Sequence, residues 1–508
     1  MSQTSFFSSR ASRIVLLVLL FSLALTIRLY DLTDLPLDFH PTRQLLSAIK
    51  ARALYFETQP DGYSTEKLEA GIYLSKLKAG VEPVVFEQLV AFTYRFTGEQ
   101  LWIARIYSSL FWLIGGVFLF LLVRSLTSFE GAILSTAYYL FFPYAIIASH
   151  SFQPDPLMVM LILSFWWTFS RWMALTLNPS PTGRGAGVRV ALLAGLLGGL
   201  AIFIKFYAAF FVIGAALGLA LSRFTFRDLL RNVQVWAMTF LGVLPASIYL
   251  IYGFFIRGGL GDQFSGRFIP SLLLSPFNYL QWMTKANMAT GGIFIMLGLL
   301  GFVFTSDKTL RGFMAGLWIA YISYGLFFDY HIATHDYYQL PLIPIVAVSL
   351  SPIGSWFFSR LTEATVQRYQ RSVVYIILLF GLFTVLWSVR NQMKDVDYRP
   401  DAAMWAQIGD VLRDKRVVAL AEDYGSRLEY WGWRNVSNWP YVGDLNYASL
   451  RGGDFSFEEL FADYSSKRDF FLVTDFDELN KQPLLKARLS SYPVYARGDR
   501  YIIYELRQ

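Results

Sequence analysis

The chain has 508 residues, of which 55% are hydrophobic, and its formal net charge is +7. A soluble protein of this length would divide into about three domains. The many apolar runs of about 18 residues instead indicate helices that cross a membrane. The chain contains no cysteine, which excludes disulfide bonds, thiolate nucleophiles and cysteine metal sites.

The apolar runs predict a polytopic α-helical membrane protein with about eleven transmembrane helices. The predicted spans are 14–30, 103–123, 131–149, 156–173, 190–204, 206–222, 233–256, 291–305, 312–328, 338–358 and 372–389. When the chain changes sides after each span, the short arginine-rich loops all fall on one side, which the positive-inside rule assigns to the cytoplasm. We therefore expect a multi-pass protein of the inner or plasma membrane, with a cytoplasmic N-terminus.

The sequence predicts two domains and two long outer loops. Residues 1–392 form the transmembrane domain, and residues 393–508 form a small extracytoplasmic α/β domain. Residues 31–102 make up the first extracytoplasmic loop, whose apolar stretches indicate helices lying along the membrane surface. Residues 257–290 form a second outer loop with glycine, proline and aromatic residues, which we interpret as a lid.

Helical and strand patterns alternate in the C-terminal domain. They predict helices at 401–413, 457–464 and 478–489, strands at 416–420 and 470–474, and a hairpin at 493–506. The aromatic cluster at 430–433 either stacks against a sugar or belongs to the core of a small domain. Basic residues are concentrated in the predicted cytoplasmic loops and not on one soluble surface, so we expect no nucleic-acid partner.

The predicted outer segments carry the side chains best suited to chemistry. Directly after the first span, Asp38, His40 and Arg43 lie within six residues, and Gln44 follows them. They offer a base, a second base or ligand, and an anion clamp. The alternative is an interfacial loop whose polar residues simply face water.

Single charged residues mark three other places along the chain. Glu82 precedes Pro83 and a predicted helix, so it serves either in catalysis or at the helix start. Asp155 begins the fourth span, where an acidic residue is a functional candidate but also a common cap. Lys205 lies between two short spans, and it either reaches the interface or holds a lipid phosphate.

The segment before the tenth span combines histidines, an acid and tyrosines. His331 and His335 are four residues apart, a spacing that can bind a metal ion on a helix, although this stretch has the pattern of a loop. The tyrosines line a polar cavity or form part of the interfacial aromatic belt. The candidates here are His335, Asp336, Tyr337, Tyr338 and Gln339.

Several stretches resemble the polytopic GT-C glycosyltransferases, in the branch of protein O-mannosyltransferases and lipid A aminoarabinose transferases. The likeness runs from about residue 14 to residue 353, and the shared order and membrane sidedness of its motifs make it fairly specific. The motifs are 82–98 (EPVVFEQLVAFTYRFTG), 101–122 (LWIARIYSSLFWLIGGVFLFLL), 142–158 (FPYAIIASHSFQPDPLM), 199–205 and 335–344 (HDYYQLPLIP).

The resemblance implies a sugar donor linked to polyprenyl phosphate and a reaction on the extracytoplasmic side. It implies that Asp155 is the acidic residue of the second outer loop, with Gln153 in the same Gln-Pro-Asp motif. It also implies that Arg105 and Lys205 hold the lipid phosphate.

One position departs from the family pattern. Where the family has an Asp-Glu pair in the first outer loop, this chain has Arg43-Gln44. The nearest carboxylate is Asp38, five residues upstream, which replaces the missing acid only if the loop is shifted.

Together these observations predict a membrane glycosyltransferase with Asp38 as general base and with Asp155 and Glu82 positioning the acceptor or an ion. The departing phosphate would be neutralised by basic side chains. The predicted substrate-binding residues are His40, Arg43, Gln44, Arg105, Gln153, Lys205, His335, Asp336, Tyr337, Tyr338 and Gln339.

The expected partners are a polyprenyl-phosphate-sugar donor, a protein, glycolipid or polysaccharide acceptor, and membrane lipids. The sequence requires no cofactor, although a divalent cation can assist. Two alternatives stay open: a transporter or flippase for lipid-linked sugars, and a non-catalytic relative that binds them.

Overall fold

The computed structural model describes residues 9–78, 80, 82–177, 184–258, 267–363, 365–454 and 456–507, so part of the predicted lid at 257–290 lies outside the described residues. The helices before the C-terminal domain are α1 (Arg10–Arg28), α2 (Pro41–Phe56), α3 (Thr65–Lys76), α4 (Val85–Thr97), α5 (Trp102–Leu126), α6 (Phe129–Phe141), α7 (Pro143–Ala148), α8 (Asp155–Leu177), α9 (Arg184–Ile204), α10 (Ala208–Leu221), α11 (Phe226–Arg231), α12 (Val233–Ile251), α13 (Pro276–Thr290), α14 (Gly292–Phe304), α15 (Lys308–Phe327), α16 (Asp329–Thr334), α17 (Leu342–Leu361) and α18 (Arg368–Met393).

Seven helices in the described part of the chain are long and apolar enough to cross a membrane, or eight if one bent pair counts as a span. The fold class predicted from the sequence, a polytopic helical membrane protein with a small C-terminal α/β domain, is therefore confirmed. The seven are Arg10–Arg28, Trp102–Leu126, Asp155–Leu177, Gly185–Ile204, Val233–Ile256, Asp336–Leu361 and Arg368–Met393.

One predicted span is broken and another begins at a bend, in each case at an identifiable residue. The third, 131–149, is divided into α6 and α7 because Phe142 has an extended conformation before Pro143, as residues preceding proline usually do. The eighth continues from α13 through an 89° bend. Gly291 lies at this bend with a φ of 74°, which glycine adopts without steric cost.

The chain divides into two compact units. The first, called the membrane unit here, comprises Met1–Leu32, Gly80–Pro83 and Ala104–Asp395, and the second, the outer unit, comprises Thr33–Ala79, Val84–Ile103 and Val396–Gln508. Most of the predicted first outer loop is thus grouped with the C-terminal segment. The predicted domain boundaries stay predictions, and so does the side of the membrane on which each domain lies.

A five-stranded sheet forms the centre of the outer unit. The strands are β1 (Val417–Leu420), β2 (Ser437–Asn438), β3 (Phe470–Val473), β4 (Val494–Gly498) and β5 (Tyr501–Glu505), in the order β2-β1-β3-β5-β4. β1 is parallel to β2 and β3, whereas β5 is antiparallel to β3 and β4. The two predicted strands and the hairpin are present, while the two-residue strand β2 was not predicted.

Helices cover both faces of this sheet. The predicted helix at 478–489 is two helices because Pro483 starts a new one. Buried clusters on the two faces are centred on Trp405 and Trp439. The helices are α19 (Asp401–Leu412), α20 (Ser426–Trp431), α21 (Val442–Leu450), α22 (Phe457–Ser465), α23 (Phe476–Asn480) and α24 (Pro483–Leu489).

Arg52 of α2 connects the two sequence-distant parts of the outer unit. Its guanidinium pairs with Glu99 at 2.8 Å and donates to the backbone oxygen of Tyr430 at 2.5 Å. It also lies 3.6 Å from the ring centroid of Tyr430 and 4.4 Å from that of Trp433. Phe56 stacks on Trp433 as well. These contacts favour the core interpretation of the aromatic cluster over sugar stacking.

We predict that Arg52→Leu lowers the free energy of unfolding by about 3 kcal/mol, because it leaves the carboxylate of Glu99 buried without its partner. The thermal denaturation midpoint of the purified full-length protein measures this effect. Arg434→Leu is the control, since Arg434 pairs at 3.5 Å with the fully exposed Asp414. Equal midpoints for the two variants would contradict the assignment of Arg52.

Candidate active site

Three segments outside the α-helices lie largely buried inside the membrane unit, and the third includes a short 3-10 turn at Asp336–Gln339. They are residues 149–154 between α7 and α8, residues 205–207 between α9 and α10, and residues 335–341 before α17. In a membrane, backbone without helical hydrogen bonds is tolerated only where it is enclosed by protein or lines a cavity. Such segments are therefore where a membrane protein places polar groups for binding or chemistry.

A buried ion pair joins two of these segments. The Lys205 ammonium lies 3.0 Å from Oδ2 of Asp155 and 3.1 Å from Oε1 of Glu82. The side chains of Lys205 and Asp155 are 2% and 0% exposed, whereas that of Glu82 is 27% exposed. Two carboxylates and one ammonium leave the group with one net negative charge, and Glu82 forms its more open end.

Aromatic side chains surround this group. The Tyr207 hydroxyl donates to Oδ1 of Asp155 at 2.8 Å, so both oxygens of Asp155 are engaged. The Lys205 ammonium lies 5.5 Å and 5.7 Å from the ring centroids of Tyr207 and Tyr337, within range of cation–π attraction. Tyr207 also packs against Tyr338, with centroids 5.6 Å apart. The third segment thus contributes its tyrosines to the same site.

The histidine and glutamine of the third segment have partners of their own. Nδ1 of His335 lies 2.8 Å from Oγ1 of Thr334. Gln339 is fully buried, and its amide accepts from Tyr321 and donates to the backbone oxygen of Ile332. Gln339 therefore supports the segment through one hydrogen bond at its oxygen and one at its nitrogen.

The described residues contain no group of three or more histidine, aspartate or glutamate side chains that could hold a metal ion. His331 and His335 stack with ring centroids 5.7 Å apart. Burial, with smaller contributions from His335 and Arg267, lowers the pKa of His331 to about 3. His331 is therefore neutral at physiological pH. The assistance of a divalent cation stays a prediction.

Arg105 is buried near the start of α5, and Gln153 is buried in the segment between α7 and α8. Arg105 is 1% exposed and donates to the backbone oxygen of Asp31 at 3.2 Å. Gln153 is also 1% exposed, and neither atom of its amide has a hydrogen-bond partner among the described residues. An unsatisfied buried amide is costly and calls for a partner that a bound ligand can supply.

Arg28 is a residue of this region that the sequence analysis missed. Its guanidinium is fully buried and donates to Oγ of Ser149 at 2.7 Å and to the backbone oxygens of Ala24 and Leu140 at 2.9 Å. Its own backbone oxygen lies 2.7 Å from Nδ1 of His150. Arg28 thus holds residues 149–154, the segment that leads to Asp155, in place. In the sequence, the only sign of this role was the position of an arginine at the end of an apolar span.

The candidates of the first outer loop belong to the outer unit. Gln44 donates to Oδ1 of Asp38 at 3.2 Å and to the backbone oxygen of Phe39 at 2.7 Å. His40 has a φ of 46° directly before α2, and Arg43 is half-buried in the first turn of that helix. These four candidates therefore lie together at the start of α2.

Comparison with known proteins agrees with this architecture. A family model described as dolichyl-phosphate-mannose-protein mannosyltransferase matches residues 81–252, which include Glu82, Arg105, Asp155 and Lys205. No curated protein matches the chain in sequence.

The solved structures of two proteins illustrate the likeness in fold. ArnT from Cupriavidus metallidurans, seen in the apo state and bound to undecaprenyl phosphate, is 16% identical and has a TM-score of 0.54 over 97% of this chain and 98% of its own. The oligosaccharyltransferase AglB from Archaeoglobus fulgidus, in complex with an inhibitory peptide and a dolichol-phosphate, is 13% identical and has a TM-score of 0.57 over 99% and 75%. The chain has the GT-C fold. The predicted resemblance to the mannosyltransferase and aminoarabinose transferase branch is confirmed.

A double-mutant cycle tests the energetics of the ion pair. We expect Lys205→Met to destabilise the protein by about 3 to 5 kcal/mol because it leaves Asp155 charged and buried, and we expect Asp155→Leu to restore much of that loss in the double variant. Unfolding midpoints in detergent measure the coupling. The control cycle on Arg223 and Asp307, a pair 3.6 Å apart and about 45% exposed, should give a coupling below about 1 kcal/mol. Equal couplings in the two cycles would contradict a tight buried pair.

We also predict that Gln153→Met leaves stability unchanged or raises it by about 1 kcal/mol, because it replaces an unsatisfied amide by an apolar side chain of similar length. Gln339→Met is the matched control, and it should destabilise because the Gln339 amide is fully hydrogen-bonded. The thermal denaturation midpoints of both variants, each compared with the wild type, measure these effects. A loss in Gln153→Met as large as in Gln339→Met would show that the Gln153 amide is satisfied.

Proposed function

We propose that the chain transfers a sugar from a polyprenyl-phosphate-linked donor to an acceptor on the extracytoplasmic side of the membrane. The observation that carries the proposal is the buried Asp155–Lys205 pair, with Glu82 at its open end, in a GT-C fold. Charged groups at membrane depth are expensive and usually functional. The polyprenyl and dolichol phosphates bound to ArnT and AglB support this class of donor.

Lys205 is the proposed partner of the leaving phosphate. Departure of the polyprenyl phosphate builds negative charge on its oxygens, which a preorganised cation stabilises most effectively in a water-excluded site. An ammonium has three N–H donors, and two of those of Lys205 face Asp155 and Glu82. The third is available for a phosphate oxygen. Arg43 and Arg105 are proposed as further contacts of the phosphate.

Asp155 acts in this proposal as the group that orients Lys205. Its Oδ1 accepts from Tyr207 and its Oδ2 is ion-paired with Lys205, which makes it a poor base. Asp38 is the proposed general base that removes the proton from the acceptor nucleophile as the sugar is transferred. Glu82 positions the acceptor together with the ammonium.

The remaining candidates are proposed to contact the sugar or the acceptor. Their amides, imidazoles and phenols, with the carboxyl group of Asp336, supply the hydrogen-bond donors and acceptors that hydroxyl groups of a sugar require. The acceptor is a protein, a glycolipid or a polysaccharide. These residues are His40, Gln44, Gln153, His335, Asp336, Tyr337, Tyr338 and Gln339.

The test is release or transfer of label from polyprenyl-phosphate-sugar donors in membranes that contain the protein. We expect Asp38→Asn and Asp155→Asn each to lower turnover by about 100-fold or more. Glu363→Gln is the matched control, because Glu363 forms only an exposed pair with Arg360. Equal amounts of folded protein, checked by the melting midpoint, are compared.

The outcomes separate the proposal from its alternatives. Turnover that survives in Asp38→Asn but disappears in Glu82→Gln would move the base to Glu82. If Asp38→Asn, Asp155→Asn and Glu82→Gln all leave turnover unchanged, the proposed site is wrong. Donor binding without turnover by the wild type, with every donor class offered, would indicate a transporter or a non-catalytic relative.

A further inference from the structure

A groove of about 640 Å³ lies between α10 and α15 in the membrane unit. It exists because glycines of the two helices face each other. A Cβ added to Gly214 would lie 2.6 Å from the backbone oxygen of Gly316, and one added to Gly312 would lie 2.7 Å from that of Gly218. The backbones are therefore in direct contact, as in small-residue crossings of membrane helices, and the missing side chains leave an open channel beside the crossing.

The walls of the groove are almost entirely apolar. Ile213, Leu217, Leu221 and Ile319 border it and are between 44% and 64% exposed. Among the residues that line it, only three have polar side chains, namely Ser222, Lys308 and Ser323. Along most of its length the groove can therefore take only a hydrocarbon chain.

Lys308 is the charged residue among those that line the groove, and it lies at one end of the groove. Its side chain is exposed, and none of the ion pairs formed by the described residues includes it. The neighbouring Arg223 is already engaged by Asp307 and Thr309. An apolar groove that ends at an available ammonium is complementary to a lipid with an anionic headgroup.

At its other end the lining of the groove includes Phe210, which belongs to an aromatic cluster. Tyr324 packs against Tyr207 and Phe210 with centroid distances of 5.1 Å and 5.8 Å. Lys205 immediately precedes α10, whereas Lys308 lines the groove together with residues at the end of that helix. The two lysines are thus separated by a helix about 20 Å long. On the topology predicted from the sequence, a lipid with its phosphate at Lys308 lies in the opposite leaflet from one with its phosphate at Lys205.

We propose that this groove binds one anionic phospholipid, with an acyl chain along the glycines and the phosphate at Lys308. The occupant is a structural lipid of the leaflet opposite to the candidate active site and not the sugar donor. The proposal stands on the groove and on Lys308, so it does not depend on the proposed transferase activity.

Native mass spectrometry of the purified full chain tests this proposal. Delipidated protein is titrated with phosphatidylglycerol, with phosphatidylcholine of the same acyl chains, and with undecaprenyl phosphate. Lys308→Gln removes the cation and Ala315→Phe fills the groove. Arg360→Gln is the charge-matched control, since Arg360 is an exposed cation outside the groove.

We expect one tightly retained phosphatidylglycerol molecule, bound about fivefold more weakly by Lys308→Gln and unchanged in Arg360→Gln. Ala315→Phe should lose the bound lipid at an unchanged melting midpoint, and if that variant does not fold, Lys308→Gln decides. Equal affinity for the two phospholipids, or no effect of Lys308→Gln, would overturn the proposal. Displacement of phosphatidylglycerol by undecaprenyl phosphate would also overturn it, because the groove would then belong to the donor lipid.

Discussion

Mutual neutralisation of charges inside the membrane unit is the constraint on which the candidate site depends. Asp155 and Lys205 are nearly inaccessible, and an isolated charge at such depth costs several kcal/mol. Each is tolerable only because the other lies beside it, with Tyr207 and Glu82 completing the contacts. The helix breaks that place these residues are therefore requirements of the site and not defects in the spans.

Arg28 is also buried in the membrane unit, but neutral hydrogen-bond acceptors of the described residues, and not a carboxylate, surround its charge. Its buried guanidinium is hydrogen-bonded to a serine and to two backbone oxygens. One of these oxygens, that of Leu140, lies two residues before the break at Phe142 and Pro143. The break leaves the backbone oxygen of Leu140 without a helical donor, and Arg28 donates to it instead. As a result, the segment that leads to Asp155 is held in one position.

Patterns with a short range along the chain were predictable from the sequence. The long apolar spans, the strand at 470–474 and the terminal hairpin each depend on local periodicity. The strand and hairpin are present, and eight of the eleven predicted spans are found when the bent pair is counted. The individual residues Asp155, Glu82 and Lys205 were also recognisable, because charges are rare in apolar sequence. Their mutual contact was not, since it joins segments far apart in the chain and no local pattern encodes it.

Other features escaped prediction for physical reasons. β2 has two residues and exists only through its pairing with β1, so it has no periodicity to detect. The groove between α10 and α15 depends on the register in which two glycine pairs meet. A residue such as Arg28 reveals its role only through acceptors contributed by other helices.

The membrane unit thus offers lysines at the two ends of α10, with different surroundings. Lys205 is enclosed by carboxylates and tyrosines, as suits a site where charge develops during a reaction. Lys308 is exposed at the mouth of an apolar groove, as suits permanent contact with a headgroup. Tyr324 packs against Tyr207 and Phe210 at the end of α10 that is nearer to Lys205.

The most direct test of the central claim is the affinity of the purified protein for undecaprenyl phosphate in the absence of any sugar. The account predicts that Lys205→Gln weakens binding about tenfold or more, because a charge-assisted contact to the phosphate is lost. Lys205→Arg should retain most of the affinity, and Lys308→Gln all of it. Wild-type affinity in folded Lys205→Gln would contradict the assignment of Lys205 and, with it, the location of the site.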